Sequence, residues 1–442
     1  MLSKQLFHEK SVSLSDLFPN FTHEFLEPFK DLTTTEIRHE MHLDFEIVER
    51  KHHNKISPIL LLAKPEDAEE ITEIYKSLYD GTYPYKEMED VDEVRAMIES
   101  PTCEWVLFKD KSGTNVGCFT FVLDMEDKKG YIRGLMVKKE FQGKVDVIKA
   151  AIGSYIGMYS KYRDRIFRWY CENRTAHAKS QYALSIGGIK PIAFYPNKDI
   201  FNHKIESDIM HICYDERALR EYRSSLIPKV IPQVENCFNY SNMRYNIGSC
   251  HIESPNISLN RVKIRKLQNY FHKNVKRDKF GYEIFTFSFK NSSSYFEFLY
   301  TPTVQNFEKA KYRVKNLEEL YVFVQEFLRC KKELNVRYCE IFLSAYKPSH
   351  QQILFEAGFT PQGYIPSWKW SNKSNTFKDS ILFSIFDGKI CENIKLIEQG
   401  QKLVQSLGLV KFSEAGKCIE TYYGLSTAPT SSRKNYILST EI

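Results

Sequence analysis

The stretch from Gly130 to Pro196 limits the possible folds more than any other part of the chain. Gly130-Tyr-Ile-Arg-Gly-Leu-Met-Val137 reads as a strand, and Gln142-Gly143-Lys144 as part of a tight turn after it. The apolar spacing then predicts an amphipathic helix from about Val145 to Lys161, with Val145, Ile148, Ile152, Tyr155 and Tyr159 on one side. Ala150, Gly153, Ser154 and Gly157 make its other side small, which suits close packing on a sheet. A short apolar strand follows at Ile166–Tyr170, a second helix ends at Gly187-Gly188, and a last strand runs from Ile189 to Pro196.

The residues upstream extend this series. Pro58–Ala63 is an apolar run of strand length, predicted to be a buried strand. Pro65 opens a helix whose stripe is Ala68, Ile71, Ile74, Tyr75, Leu78 and Tyr79, and Asp80-Gly81 ends it. Asp90 is placed to cap a short second helix through Ile98. Trp105–Phe108 and Val116–Leu123 read as a hairpin turning at Ser112-Gly113. Lys204–Tyr214 supplies one more strand after Pro196.

This order of elements, β-α-α-β-β-β-α-β-α-β, resembles the GNAT superfamily of acyl-CoA N-acyltransferases over about residues 56–214. Leu135-Met-Val137 is similar to the family's signature strand, and Gln142-Gly143-Lys144 to the opening of its pyrophosphate turn. The physics of such a turn is general: unpaired N–H groups and the positive end of a helix attract an anion. Two letters depart from the pattern, since Val145 and Val147 stand where the family has small residues. The resemblance implies acetyl-CoA or another acyl-CoA as co-substrate, held by Met136, Val137, Gln142, Gly143, Lys144 and Val145. It also implies a tyrosine acid four residues before the glycine that closes the second helix. Leu184 holds that place here, and Tyr182 is the nearby tyrosine.

The second half repeats part of the first. Gly188, Pro191 and Pro196 have the same spacing as Gly358, Pro361 and Pro366, and each set leads into an Asp-containing strand, at Ser207–His211 and Asp379–Phe383. Strands are predicted at Tyr282–Phe289, Tyr295–Pro302 and Val336–Leu343. Asn316 and Glu319 start a helix between the last two. No Gln-x-x-Gly turn precedes that helix. The expected fold class is therefore α+β, a mixed α/β sheet in two tandem GNAT-like domains with a degenerate second copy. The expected boundaries are an N-terminal extension at 1–55, the first domain at 56–214, a linking helix at 215–230, the second domain at 231–390, and a C-terminal helix with a mobile tail at 391–442.

Composition narrows the class. With 42% hydrophobic and 27% charged residues the chain is a folded one, and 442 residues call for more than one ordinary core. No apolar run approaches membrane-spanning length, and the N-terminus lacks a signal-peptide core, so no membrane partner is expected. Ten cysteines without a Cys-x-x-Cys pair suggest free thiols in the cytoplasm. A net charge of +6 suits a polyanionic cofactor and is too diffuse to predict a nucleic-acid partner. His39, His42, His52 and His53 lie close in sequence but match no metal spacing, so no metal is expected.

The candidate chemistry lies at the ends of two strands. Glu172 and Asn173 follow the second strand of the opening stretch, and Tyr131 and Arg133 share one face of the first. Glu172 and Tyr182 are the catalytic candidates, and Tyr131, Arg133 and Asn173 the substrate-binding ones; Asn173 as a helix cap is the structural alternative. His177 is a weaker base candidate, and Cys171 reads as a buried thiol rather than an acyl carrier. The expected function is acyl transfer from CoA to a primary amine of a small molecule or protein, by direct attack in a ternary complex. The alternatives are a catalytically inactive GNAT-like binding module and an aminoacyl-tRNA-dependent transferase.

Overall fold

The computed structural model describes residues 56, 58–186, 188–391, 393–413 and 418–421. The expectations for residues 1–55, the four clustered histidines and the tail beyond Thr421 lie outside the described residues.

Fourteen strands form one continuous mixed sheet. In chain order they are β1 (Ile59–Leu62), β2 (Cys103–Lys109), β3 (Asn115–Asp124), β4 (Lys129–Val137), β5 (Arg168–Arg174), β6 (Lys190–Phe201) and β7 (Lys204–Tyr214). The later seven are β8 (Phe271–Arg277), β9 (Glu283–Phe289), β10 (Tyr295–Thr301), β11 (Asn306–Arg313), β12 (Tyr338–Ser344), β13 (Thr360–Ser371) and β14 (Thr376–Phe386). Across the sheet they lie in the order β1-β2-β3-β4-β5-β7-β6-β13-β14-β12-β11-β10-β9-β8. Counted inward from each edge, the two halves follow one rule. Each has a single parallel pair, β4 with β5 and β11 with β12, at the same place in the order.

The first half matches its predicted elements closely. Helix α1 (Ala68–Tyr79) ends at Asp80 in the left-handed region, and α2 (Val91–Glu99) is capped by the Asp90 carboxylate, which accepts from the Asp92 and Glu93 amides. Helix α3 (Val147–Tyr162) and helix α4 (Lys179–Ile186) sit on the sheet after β4 and β5. The small side of α3 at Ala150 and Ser154 is as closed to solvent as Ile156 and Met158, so the helix is buried rather than amphipathic. A second correction concerns β1. It is the outer edge strand, and only Leu60 of its four residues is buried, because one flank has no neighbouring strand.

In the second half, α5 (Leu317–Glu333) starts where Asn316 accepts from the Glu319 amide, and α6 (Pro348–Glu356) precedes Gly358. Helix α7 (Glu398–Ser406) belongs to the C-terminal segment, which crosses to the first half. There Lys395 N–H donates to Thr175 O at 2.6 Å, and the Gln181 side chain bridges Lys395 O and the Ile397 amide.

The halves meet at one registered backbone pair, Ala193 on β6 with Gly363 on β13. A Cβ on Gly363 would stand 2.4 Å from that of Ala193, so only glycine allows this approach. Arg168, fully buried on β5, ties the seam by donating to Asp127 O and Trp368 O at 2.7 and 2.5 Å. The largest apolar cluster mixes Phe194, Ile209 and Tyr214 with Phe327, Tyr364 and Phe383, so one core serves both halves there. None of the ten cysteines forms a disulfide. Among the described residues, no helix is long and apolar enough to cross a membrane.

Candidate active site

The two parallel pairs differ in length, and that difference makes a cleft. Strands β4 and β5 pair at Lys129–Arg168, Gly130–Trp169 and Tyr131–Tyr170, with no registered pair beyond. Three residues later Gly134 takes φ +63° and makes a bulge against β3, opposite the register shift between Cys118 and Thr120. A Cβ there would lie 2.1 Å from the Tyr75 hydroxyl. The second half has the same bulge at Lys309, φ +54°, but β11 continues past it to pair Ala310 with Ile341. Strands β4 and β5 therefore separate where their counterparts stay paired. The space between them holds about 170 Å³.

One side of this cleft is Tyr131 and Arg133–Met136 of β4, and the facing side is Cys171–Arg174 of β5. Tyr79, Tyr83 and Tyr85, from the end of α1 and the loop after it, close one end, together with Asp199, Phe201 and Asp208 of the β6–β7 hairpin. The structure thus brings together Tyr131, Arg133, Met136, Glu172 and Asn173 of the sequence candidates. Tyr131 stacks on Tyr170 at 4.9 Å between ring centres. Glu172 Oε2 receives a 2.8 Å hydrogen bond from the Lys198 ammonium, which is itself 2% exposed. The Arg133 guanidinium reaches Met97 Sδ at 3.5 Å and stands 4.0 Å from Glu87, while its Nε is buried with no partner. Asn173 donates to Cys171 Sγ at 3.2 Å and meets His211 Nδ1 at 3.1 Å. It is no helix cap, because α4 begins only at Lys179.

Burial shifts two other cleft residues toward their neutral forms. Burial pushes the Cys171 thiol up to about 12, which keeps it a thiol at neutral pH. Burial, then the nearby Arg174 charge, lower the His177 pKa and favour its neutral ring. Tyr182 is 39% exposed and is not part of the cleft wall, so its position offers no support for a role as acid. Leu184, at the place where the resemblance puts a tyrosine, does line the cleft.

The turn after β4 departs further from an anion cradle. Gly143 has φ +80°, and the Gln142 side chain folds back onto Val137 O at 3.2 Å. The amides of Lys144 and Val145 both donate to Phe141 O, that of Asp146 to Ile56 O, and that of Val147 to Val145 O. Val145 is 2% exposed and packs in the apolar layer under α3. Asp146, also buried, is the residue before the first turn of α3, and its carbonyl accepts from Ala150 N–H. Four backbone donors that could face a phosphate are thus used inside the protein, and a carboxylic acid side chain occupies the helix start.

Sequence reading missed the acidic surroundings of Lys198. Its ammonium also lies 3.2 Å from Glu340 on β12. Burial pushes Glu340 up to about 7 and Asp199 up to about 6. Asp208 is raised well above the usual carboxylate range by burial and by Asp199. A signal for part of this group was present. Tyr170-Cys-Glu172 on β5 recurs as Tyr338-Cys-Glu340 on β12, and both glutamates reach the same lysine.

No protein-family model matches this chain, and no curated protein matches it. Among solved structures it is similar to spermidine/spermine N-acetyltransferase SpeG from Vibrio cholerae. The form with manganese ions is 13% identical, with 37% of this chain and 96% of that chain covered, at a TM-score of 0.30. The form in complex with CoA and spermine is 14% identical, with 35% of this chain and 95% of that chain covered, at a TM-score of 0.30.

Proposed function

We propose that the cleft between β4 and β5 is the active site of a GNAT-type acyl-CoA-dependent N-acyltransferase acting on a primary amine. The observation that carries this reading is the end of the β4–β5 ladder at Tyr131–Tyr170, just before the Gly134 bulge. It leaves one flank of Arg133–Met136 without a strand partner, where an acyl-pantetheine arm can lie in extended form. In this reading residues 56–214 are the active unit and 231–390 a degenerate second copy, which the repeated strand order and the paired bulges at Gly134 and Lys309 support.

The chemistry needs an amine free of its proton and a carbonyl open to attack. Glu172 takes one proton from the ammonium form of the amine. The nitrogen attacks the thioester carbonyl carbon, the N–C bond forms, and the C–S bond breaks. The amine's remaining extra proton passes through solvent to the departing CoA sulfur. Met136 and Val137 flank the acyl arm, and Lys144 offers its charge to the pyrophosphate. Tyr131 and Arg133 bound the acceptor side.

A second reading is a binding module without acyl-CoA chemistry. The internal hydrogen bonds of the Lys144, Val145, Asp146 and Val147 amides favour it, since a pyrophosphate would have to compete with them. Calorimetric titration with acetyl-CoA, followed by mass spectrometry of a primary-amine panel incubated with protein and acetyl-CoA, separates the two. Micromolar binding that Lys144→Glu weakens at least tenfold, together with an acetylated amine, supports the transferase. No binding at millimolar acetyl-CoA leaves the binding module.

A further inference from the structure

Strand pairing places two acids side by side at the closed end of the cleft. Asp199 on β6 lies opposite Glu206 on β7, and Asp208 follows two residues later on the same face. Both aspartates are 3% exposed. Their carboxyl groups stand close enough to hydrogen-bond to each other. Each keeps one oxygen, Oδ1, that is buried without a protein partner, and both residues line the cleft.

The neighbouring cations are committed elsewhere. Lys198 bridges Glu172 and Glu340. Arg174 is held by both Glu206 oxygens at 2.8 and 2.7 Å, and Arg337 donates to the carbonyls of Asn197 and Lys198. Glu308, on the second-half side, adds a further negative charge near the pair. The Lys198 charge offsets part of theirs, but two buried carboxyls with unpartnered oxygens and no direct ion pair stay costly unless a proton or a ligand cation joins them. Beside them the rings of Tyr79 and Tyr83 stand 4.7 Å apart, with Phe201 6.0 and 6.4 Å from them. The Arg174 guanidinium already lies over Phe201, 4.1 Å from its ring centre, which leaves the two tyrosine faces for an organic ammonium. Among the described residues no cluster has the geometry of a metal site.

We infer that Asp199 and Asp208 bind the ammonium group of a cationic aliphatic amine inside the cleft. Naming that amine as the acceptor rests on the transferase reading above. Without ligand, the pair shares a proton: burial raises both carboxyls against the Lys198 charge, and Asp199 raises Asp208 further. An arriving ammonium takes the place of that proton, so binding releases it to the buffer.

The test uses the full chain and diaminobutane as probe, titrated by calorimetry near neutral pH in two buffers of different ionisation enthalpy. The expected result is binding with release of about one proton per site. Butanediol, the neutral analogue, should not bind. Asp199→Asn and Asp208→Asn, each checked for native circular dichroism, should weaken diaminobutane at least tenfold and abolish the proton release. No binding of diaminobutane at millimolar concentration overturns the inference, and so does binding that neither variant changes. A separate acetyl-CoA titration keeps the two readings apart. Diaminobutane binding without acetyl-CoA binding sustains the ammonium site and ends the transferase reading. Acetyl transfer to diaminobutane with an unchanged KM in Asp208→Asn does the reverse.

Discussion

Glu172 and Glu340 hold the same ammonium group: Lys198 Nζ stands 2.8 Å from one and 3.2 Å from the other. The two acids come from β5 and β12, equivalent strands of the two halves. Lys198 and Glu340 are buried and Glu172 is partly so, and the stability of the triad depends on the balance of charge within it. Removing the cation leaves two carboxylates without a partner, whereas neutralising all three together removes the conflict. Lys198→Met should therefore cost about 3–5 kcal/mol in unfolding free energy. The triple change Lys198→Met, Glu172→Gln and Glu340→Gln should recover more than half of that loss. Urea denaturation of the two variants measures both values.

The same group makes stability depend on pH in a particular direction. Burial pushes Glu340 up to about 7, whereas a glutamate in an unfolded chain titrates near ~4.3. Between those values the native state binds more protons than the unfolded chain, so stability falls as pH rises through this window. His350, lowered to about 4 by burial, works against this below the usual histidine range, because unfolding then takes up a proton. Comparison with Glu340→Gln removes the glutamate's part and leaves the histidine's. The wild type should gain stability relative to the variant as pH falls from about 8 to about 5, measured by urea denaturation at each pH. A difference that stays flat would mean that Glu340 is ionised in the folded protein.

Gly134 and Lys309 occupy matching bulges but differ in what they tolerate. Both have positive φ, and only Gly134 also has the Tyr75 hydroxyl within 2.1 Å of where a Cβ would be. Gly134→Ala should cost about 1–3 kcal/mol, from backbone strain and displacement of Tyr75. Lys309→Gly should stay within about 1 kcal/mol, since relief of strain opposes the greater freedom of the unfolded chain. Thermal unfolding of the two variants gives the comparison. A Gly134→Ala loss of only about 1 kcal/mol would show that backbone strain alone sets the cost, without the Tyr75 contact.

Much of the first half was legible because glycine, proline and capping residues mark its element ends. Asp80-Gly81, Asp90 and Gly188 fall where elements stop or start, and Asn316 does the same in the second half. Strand β8 was missed because every residue from His272 to Arg277 is exposed, so nothing alternates along it; its lysines suit an unpaired edge. Strand β11 was missed because the Lys309 bulge breaks its period. Strand β6 runs on past Pro196, where Asn197 at φ +52° donates its amide to Ser207 Oγ and absorbs the proline in a bulge. The cleft residues of β4 and β5 could be found because they lie near one another in sequence. The acids around Lys198 could not, since β5, β6, β7, β11 and β12 each supply part of the group and only the sheet order joins them.

The seam between the halves gives a further prediction. Gly363 and Ala193 make the one registered backbone pair there, yet side chains reinforce it on both sides. Tyr214 donates to Pro366 O at 2.8 Å, Tyr240 to Pro191 O at 3.2 Å, and Asn197 to Asp387 O at 3.0 Å. The apolar cluster below the seam also draws on both halves. The wild type should therefore unfold in urea as one cooperative step, with tryptophan fluorescence and far-ultraviolet circular dichroism giving the same midpoint. Gly363→Ala puts a methyl group 2.4 Å from the Ala193 Cβ and 2.6 Å from Ile192 O, so one of the two strands must move. That displacement should cost about 1–3 kcal/mol and lower the midpoint without changing the slope, because the same surface is exposed on unfolding. Two separate transitions in the variant would mean instead that the halves hold together mainly through this close backbone contact, and that each keeps enough core to fold once it is lost.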